Sequence, residues 1–173
     1  TGKIVTGRVP VVGRELASIS SPPLRTITRL MLPPSDNYIA ETLTKNTGTA
    51  VNGVGTTVSG TAAATRLLGA HLSPQDRLID GSGLDRGNRL TPRSMVSLLS
   101  AANNNANWGA PLIDSLPRGG QGTLKRRFVG SVRSRVHAKT GYIANTTTLV
   151  GVVDSPTGVR YAFALFMNDN AIG

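Results

Sequence analysis

Apolar positions recur at helical spacing through the first two thirds of the chain and give way to β-branched runs of strand character in the last third. Leu24, Ile27, Leu30 and Met31 fall on one face of a segment that Ser21 can cap, that Pro22 suits as first helical residue, and that Pro33-Pro34 ends. A helix over residues 22–32 is therefore predicted. A second opens at Ser35, with Asp36 in its first turn, and fades near Gly48. The small-residue stripe Val54, Val58, Ala62, Ala63, Leu67 and Leu68 predicts a close-packed helix over residues 53–72. Thr91-Pro92 starts a fourth with Met95, Leu98 and Leu99 inward, ending in Asn103-Asn104-Asn105, and a short helix follows over residues 110–116. Residues 3–12 and 15–20 alternate loosely and read as two short strands, as does Leu78-Ile79 before a tight loop. Residues 119–122 read as a loop, and residues 123–128 as a basic turn or helix.

The last third reads as antiparallel sheet, with strands over residues 132–143, 146–154 and 159–168 and a turn at Ser155-Pro156-Thr157-Gly158. The fold class is therefore α/β of the α+β kind, an antiparallel sheet flanked by helices. No linker divides residues 18–173, while residues 1–17 read as connecting strands or the tail of an inserted domain. A chain of 173 residues can bury roughly 70% of its unfolded surface.

Composition narrows the chemistry. Aromatics are only 4% while Gly numbers 20, so the core must come from Val, Leu, Ile and Ala at close backbone approach. The absence of cysteine excludes disulfides and thiolate metal sites, and His71 and His137 lack metal-ligand spacing, so no metal or other cofactor is expected. The longest apolar run, residues 161–167, is too short to span a bilayer. The net charge is +10, and no acid occurs between Ser115 and Val153, where Arg118, Lys125, Arg126, Arg127, Arg133, Arg135 and Lys139 accumulate. That field suits a polyanion such as a cell-envelope surface. Nucleic acid is not expected, since stacking aromatics are scarce and no recognition motif appears.

Three stretches carry candidate chemistry. Lys139-Thr140-Gly141-Tyr142 lies on a predicted strand, where an ammonium and a hydroxyl offer donors to a carboxylate and the glycine admits a ligand backbone to the strand edge. Ser35 and Asn37, where a loop meets a helix, can present a hydroxyl to relay a proton and an amide to hold a peptide carbonyl, although ordinary helix capping accounts for them equally. Asp80-Gly81-Ser82-Gly83-Leu84 sets two glycines around a serine, either a functional loop or a tight turn. It lacks the lysine of a phosphate loop.

In this order, and with residues 17–23, Gly122-Thr123-Leu124 and residues 163–168, these stretches resemble the DacB-like, S13 branch of the penicillin-binding proteins, the D-Ala-D-Ala carboxypeptidases and endopeptidases. The resemblance spans nearly the whole chain. It implies the penicillin-binding-protein/β-lactamase-like transpeptidase fold and cleavage of a terminal D-Ala, or of a crosslink, from peptidoglycan stem peptides through an acyl-serine. It also implies β-lactams as inhibitors and an extracytoplasmic place in the cell envelope. Carried over residue by residue, Ser35 passes a proton to the leaving amine, Asn37 holds the substrate amide, and Lys139 tunes the field around Ser35. Thr140 binds the terminal carboxylate with Lys139, Gly141 admits the substrate, and the Tyr142 N–H supplies one arm of the oxyanion hole. Ser82 and Arg86 lie near the pocket for the stem-peptide side chain. Where the family often has a small hydroxyl residue after Lys-Thr-Gly, this chain has the bulky Tyr142.

The family nucleophile is a serine three residues before a lysine, and no Ser-x-x-Lys occurs in the 173 residues. Residues 18–173 are therefore expected to be the C-terminal portion of the penicillin-binding domain, holding the substrate clamp without the attacking group. They are then inactive alone and partnered by the N-terminal segment of the same protein. A sheet face left uncovered costs about 25 cal/mol per Å² in water, which also allows self-association or low stability. The alternative is a noncatalytic basic cell-wall-binding module that retains a degenerate cleft.

Overall fold

The computed structural model describes residues 2–8 and 12–168. Residues 2–8 and 12–20 form no strand, and Ile4, Val5, Val12, Leu16 and Ile19 are exposed. The two strands expected there are therefore corrected, apart from residues 9–11, which lie outside the described residues. Alternation alone cannot hold a strand that finds no partner to close its ladder.

Among the described residues five α-helices follow: α1 Leu24–Met31, α2 Asn37–Asn52, α3 Thr57–Leu68, α4 Pro92–Asn103 and α5 Gly109–Ser115. Their starts differ from expectation where proline intervenes. Pro23, not Ser21, precedes α1, its extended backbone (ψ 146°) leaving the carbonyl to accept from Thr26 N at 2.8 Å. At α2 the cap is Asp36, whose Oδ1 accepts from Ile39 N at 2.9 Å, while Ser35 sits in the turn before it at φ 63°. The helix also runs past Gly48 to Gly53, which closes it at φ 72°. Gly48 does not break α2 because it serves packing: a Cβ there would meet Gly60 N of α3 at 2.7 Å, so the pair lets two helices cross at backbone distance. α3 starts at Thr57, where Thr56 Oγ1 accepts from Ser59 N at 3.1 Å. Thr91 caps α4 and Pro92 opens it, as the sequence predicts.

The sheet is a three-stranded antiparallel meander, β1 Val136–Ile143, β2 Thr146–Asp154 and β3 Arg160–Asn168. β1 begins later than residue 132 because Gly130–Val132 forms a 3₁₀ turn. The Leu78-Ile79 strand is also absent: only an isolated bridge, Arg77 to Arg89, closes the base of the loop.

The two sheet faces are covered unequally. On one, Val152 and Ala162 pack with Ala102 and Leu112 and Ile113 of α4 and α5. On the other, Val136, Ala138, Leu149, Val153 and Phe163 pack with Leu124 and Phe128. Further along that face Tyr142, Tyr161, Leu165 and Met167 are exposed. Among the described residues no helix is long and apolar enough to cross a membrane.

Candidate active site

β1 is an edge strand, and among the described residues only part of its free edge is occupied. Gly119 N donates to Val136 O at 3.2 Å and Ala138 N to Pro117 O at 2.9 Å. Both bonds use even-numbered residues of β1. Since the backbone groups of a strand alternate sides, Thr140 and Tyr142 aim their N–H and C=O at the same edge beyond the point where residues 117–119 leave it. The open stretch thus coincides with Lys139-Thr140-Gly141-Tyr142.

Side chains alternate too. Lys139 lies on the face of His137 and Gly141, while Thr140 lies on the opposite face with Leu149 as its cross-strand partner. They come together only at the edge, where Lys139 Nζ donates to Thr140 O at 2.6 Å. Burial pushes the Lys139 pKa down, since a half-buried ammonium loses hydration. The room above Gly141 is taken by Thr148 Oγ1, against which any Cβ would collide. Glycine here serves the approach of β2 as well as the open edge. Tyr142 is 70% exposed.

Ser35 and Asn37 lie at the junction of α1 and α2, Ser35 half-buried and Asn37 exposed in the first turn. The junction is fastened towards β1: Thr123 N donates to Pro33 O at 3.2 Å, and the next residue, Leu124, is buried against Val136 and Ala138. α1 is further held to α5 by the Thr28 and Ser115 hydroxyls at 2.9 Å. Among the described residues no hydrogen bond joins Ser35 or Asn37 directly to Lys139.

Ser82 and Arg86 belong to a loop organised by Asp80. Its carboxylate accepts from Gly83 N and Asp85 N at 2.7 Å each, from Asn88 Nδ2 at 2.8 Å and from Ser82 Oγ at 3.2 Å. Burial pushes the Asp80 pKa up, but the bonds from Asn88, Asp85, Gly83 and Ser82 outweigh it and hold it below the usual range. Arg86 is exposed, its carbonyl accepting from the Arg89 guanidinium at 2.5 Å. The loop docks on α2, where Gly81 N and Ser82 N donate to Glu41 Oε1 at 2.8 and 2.9 Å.

Sequence reasoning missed Glu41, although its place four residues after Asn37 puts both on one face of α2. It also left His137 as a residue of the strand. That imidazole is 6% exposed, its Nδ1 has no hydrogen-bond partner among the described residues, and burial first, then the charges of Arg118 and Arg160, depress its pKa against the opposing pull of the Ile113 backbone and Asp154. Its burial depends on tertiary contacts and left no local signal.

Residues 1–173 match the D-Ala-D-Ala carboxypeptidase 3 (S13) family. A carboxypeptidase of Mycobacterium tuberculosis is 33% identical over 96% of this chain, which spans 38% of that protein. Carboxypeptidase DacB of Mycolicibacterium smegmatis is 33% identical over 91% of the chain, which spans 36% of its length. The structure of penicillin-binding protein 4 from Haemophilus influenzae, solved in complex with a β-lactam, superposes with a TM-score of 0.79 at 28% identity, over 87% of this chain and 36% of that one.

Proposed function

The chain belongs to the D-Ala-D-Ala carboxypeptidase 3 (S13) family, and from that premise we propose that it is the substrate-clamping part of a serine-type D-Ala-D-Ala carboxypeptidase acting on peptidoglycan stem peptides. The single observation that carries the reading is the open stretch of β1. The Thr140 N–H and the Tyr142 backbone, which have no strand partner on that edge among the described residues, can receive an extended peptide as an added strand, and the Lys139 ammonium, which donates to Thr140 O there, can turn to meet its terminal carboxylate. In this reading Thr140 contributes its hydroxyl to the carboxylate, Gly141 keeps the strand slim, and the Tyr142 N–H polarises the scissile carbonyl. Asn37 holds the substrate amide, Ser35 hands a proton to the leaving D-Ala amine, and Lys139 sets the field around Ser35. Ser82 and Arg86 face the stem-peptide side chain.

The attacking serine then comes from a Ser-x-x-Lys segment outside these 173 residues, and the same protein covers the exposed apolar face of β3. The place of action is extracytoplasmic, in the cell envelope, with β-lactams as covalent inhibitors; cleavage of peptide crosslinks is a second outcome of the same acyl-serine chemistry. Labelling with a fluorescent penicillin, read by intact mass on the full-length protein, tests this. One adduct on a Ser-x-x-Lys serine, lost when that serine is changed to alanine, is expected. A folded protein that takes no label would instead leave a noncatalytic wall-binding module.

A further inference from the structure

Glu41 has no part in the chemistry described above, yet its carboxylate lies where three elements meet. One oxygen accepts from Gly81 N at 2.8 Å and Ser82 N at 2.9 Å, and the other from Thr57 Oγ1 at 3.3 Å, at the start of α3. Burial pushes the Glu41 pKa up, but these donors outweigh it, so the carboxylate stays ionised and a strong acceptor. Asn37 stands four residues earlier on the same face, a rise of about 6 Å. The seat is tight: a Cβ on Gly81 would collide with Thr44 Oγ1 and come within 2.9 Å of Ala40 O. Asp80 fixes the shape of the loop, whereas Glu41 fixes its position on α2.

We propose that Glu41 is a positioning residue that sets substrate selectivity, by locking the turn bearing Ser82 to the helix whose first turn bears Asn37. This rests on the peptidase reading above, in which Asn37 holds the substrate backbone and Ser82 and Arg86 face its side chain. With Glu41 in place, backbone and side chain of one substrate are measured against a single rigid unit. The requirement is reach more than charge. Glutamine keeps an acceptor oxygen at the same distance for both N–H groups, while aspartate keeps the charge but withdraws the oxygens by one methylene.

The test uses the full-length protein with two D-Ala-D-Ala peptides, one with a long polar side chain on the preceding residue and one with alanine there. Glu41→Asp and Glu41→Ala are expected to raise KM for the long-side-chain peptide about tenfold, with kcat and the alanine peptide changed less than about threefold, and Glu41→Gln to stay near wild type. A parallel loss on both peptides, or unchanged selectivity in Glu41→Asp, would overturn the proposal. Should Glu41→Ala not fold, the Asp and Gln pair carries the comparison alone. Amide exchange at Gly81 and Ser82 separates this from the peptidase reading. Protection in wild type and Glu41→Gln, with exchange about tenfold faster in Glu41→Asp, is expected whether or not the protein turns over peptide. Unprotected amides in wild type would remove the lock. Failure of wild type to cleave either peptide or take penicillin, with the amides protected, would defeat the peptidase reading and with it the selectivity role.

Discussion

The loop of residues 80–88 and the open edge of β1 satisfy their backbones in opposite ways. In the loop, Asp80 takes the N–H groups of Gly83 and Asp85, Glu41 takes those of Gly81 and Ser82, and Asn88 Oδ1 takes that of Ile79 at 2.8 Å. Side-chain oxygens thus replace a ladder, and the loop holds its shape with no strand beside it. At β1 the ladder itself is incomplete: residues 117–119 pair with its first half and stop before Thr140. A self-saturated loop can orient a side chain, while an unsaturated edge can take up another backbone. In the proposed reading, selectivity and binding fall to two kinds of structure, each suited to its task by where its hydrogen bonds already go.

The largest effect that would break this division is at the edge. Lys139→Ala removes the charge at the open strand and is expected to slow β-lactam acylation of the full-length protein by at least about a hundredfold, with the melting transition little moved. Stopped-flow acylation with calorimetry checks both; a loss below about threefold would mean that the edge does not bind the carboxylate. Next is the loop seat. Gly81→Ala drives a methyl into Thr44 and is expected to cost about 1–3 kcal/mol in chemical denaturation. A neutral result would show that the loop is not held against α2. The smallest effect is a pH dependence behind the edge. His137 has a folded-state pKa below its unfolded one, so the unfolded state binds more protons in acid. Its contribution to stability is complete above about pH 6.5 and is lost as pH falls towards the depressed value. His137→Gln should flatten that part of the stability profile, and an unchanged acid slope would remove His137 as its source.

The strong local signals were legible. Thr91-Pro92 and the leucines behind it foretold α4, and the β-branched runs around Pro156 and Gly158 foretold the β2–β3 hairpin, because caps, turns and strand alternation act over a few residues. Where prolines crowd a boundary the same rules misplaced the start: Asp36 took the cap expected of Ser35. The order of Ser35-Asp36-Asn37, Asp80-Gly81-Ser82 and Lys139-Thr140-Gly141 was enough to point to the family.

The sequence by itself determined which residue types could do chemistry, since a motif is a local fact of the chain. Only the tertiary structure decided what surrounds them. The Glu41 lock spans forty residues, the buried His137 bridges to Arg118 of a segment outside its own strand, and the open half of β1 depends on where residues 117–119 turn away. Long-range contacts of this kind are fixed by how helices and sheet pack together, and local pattern carries no record of them.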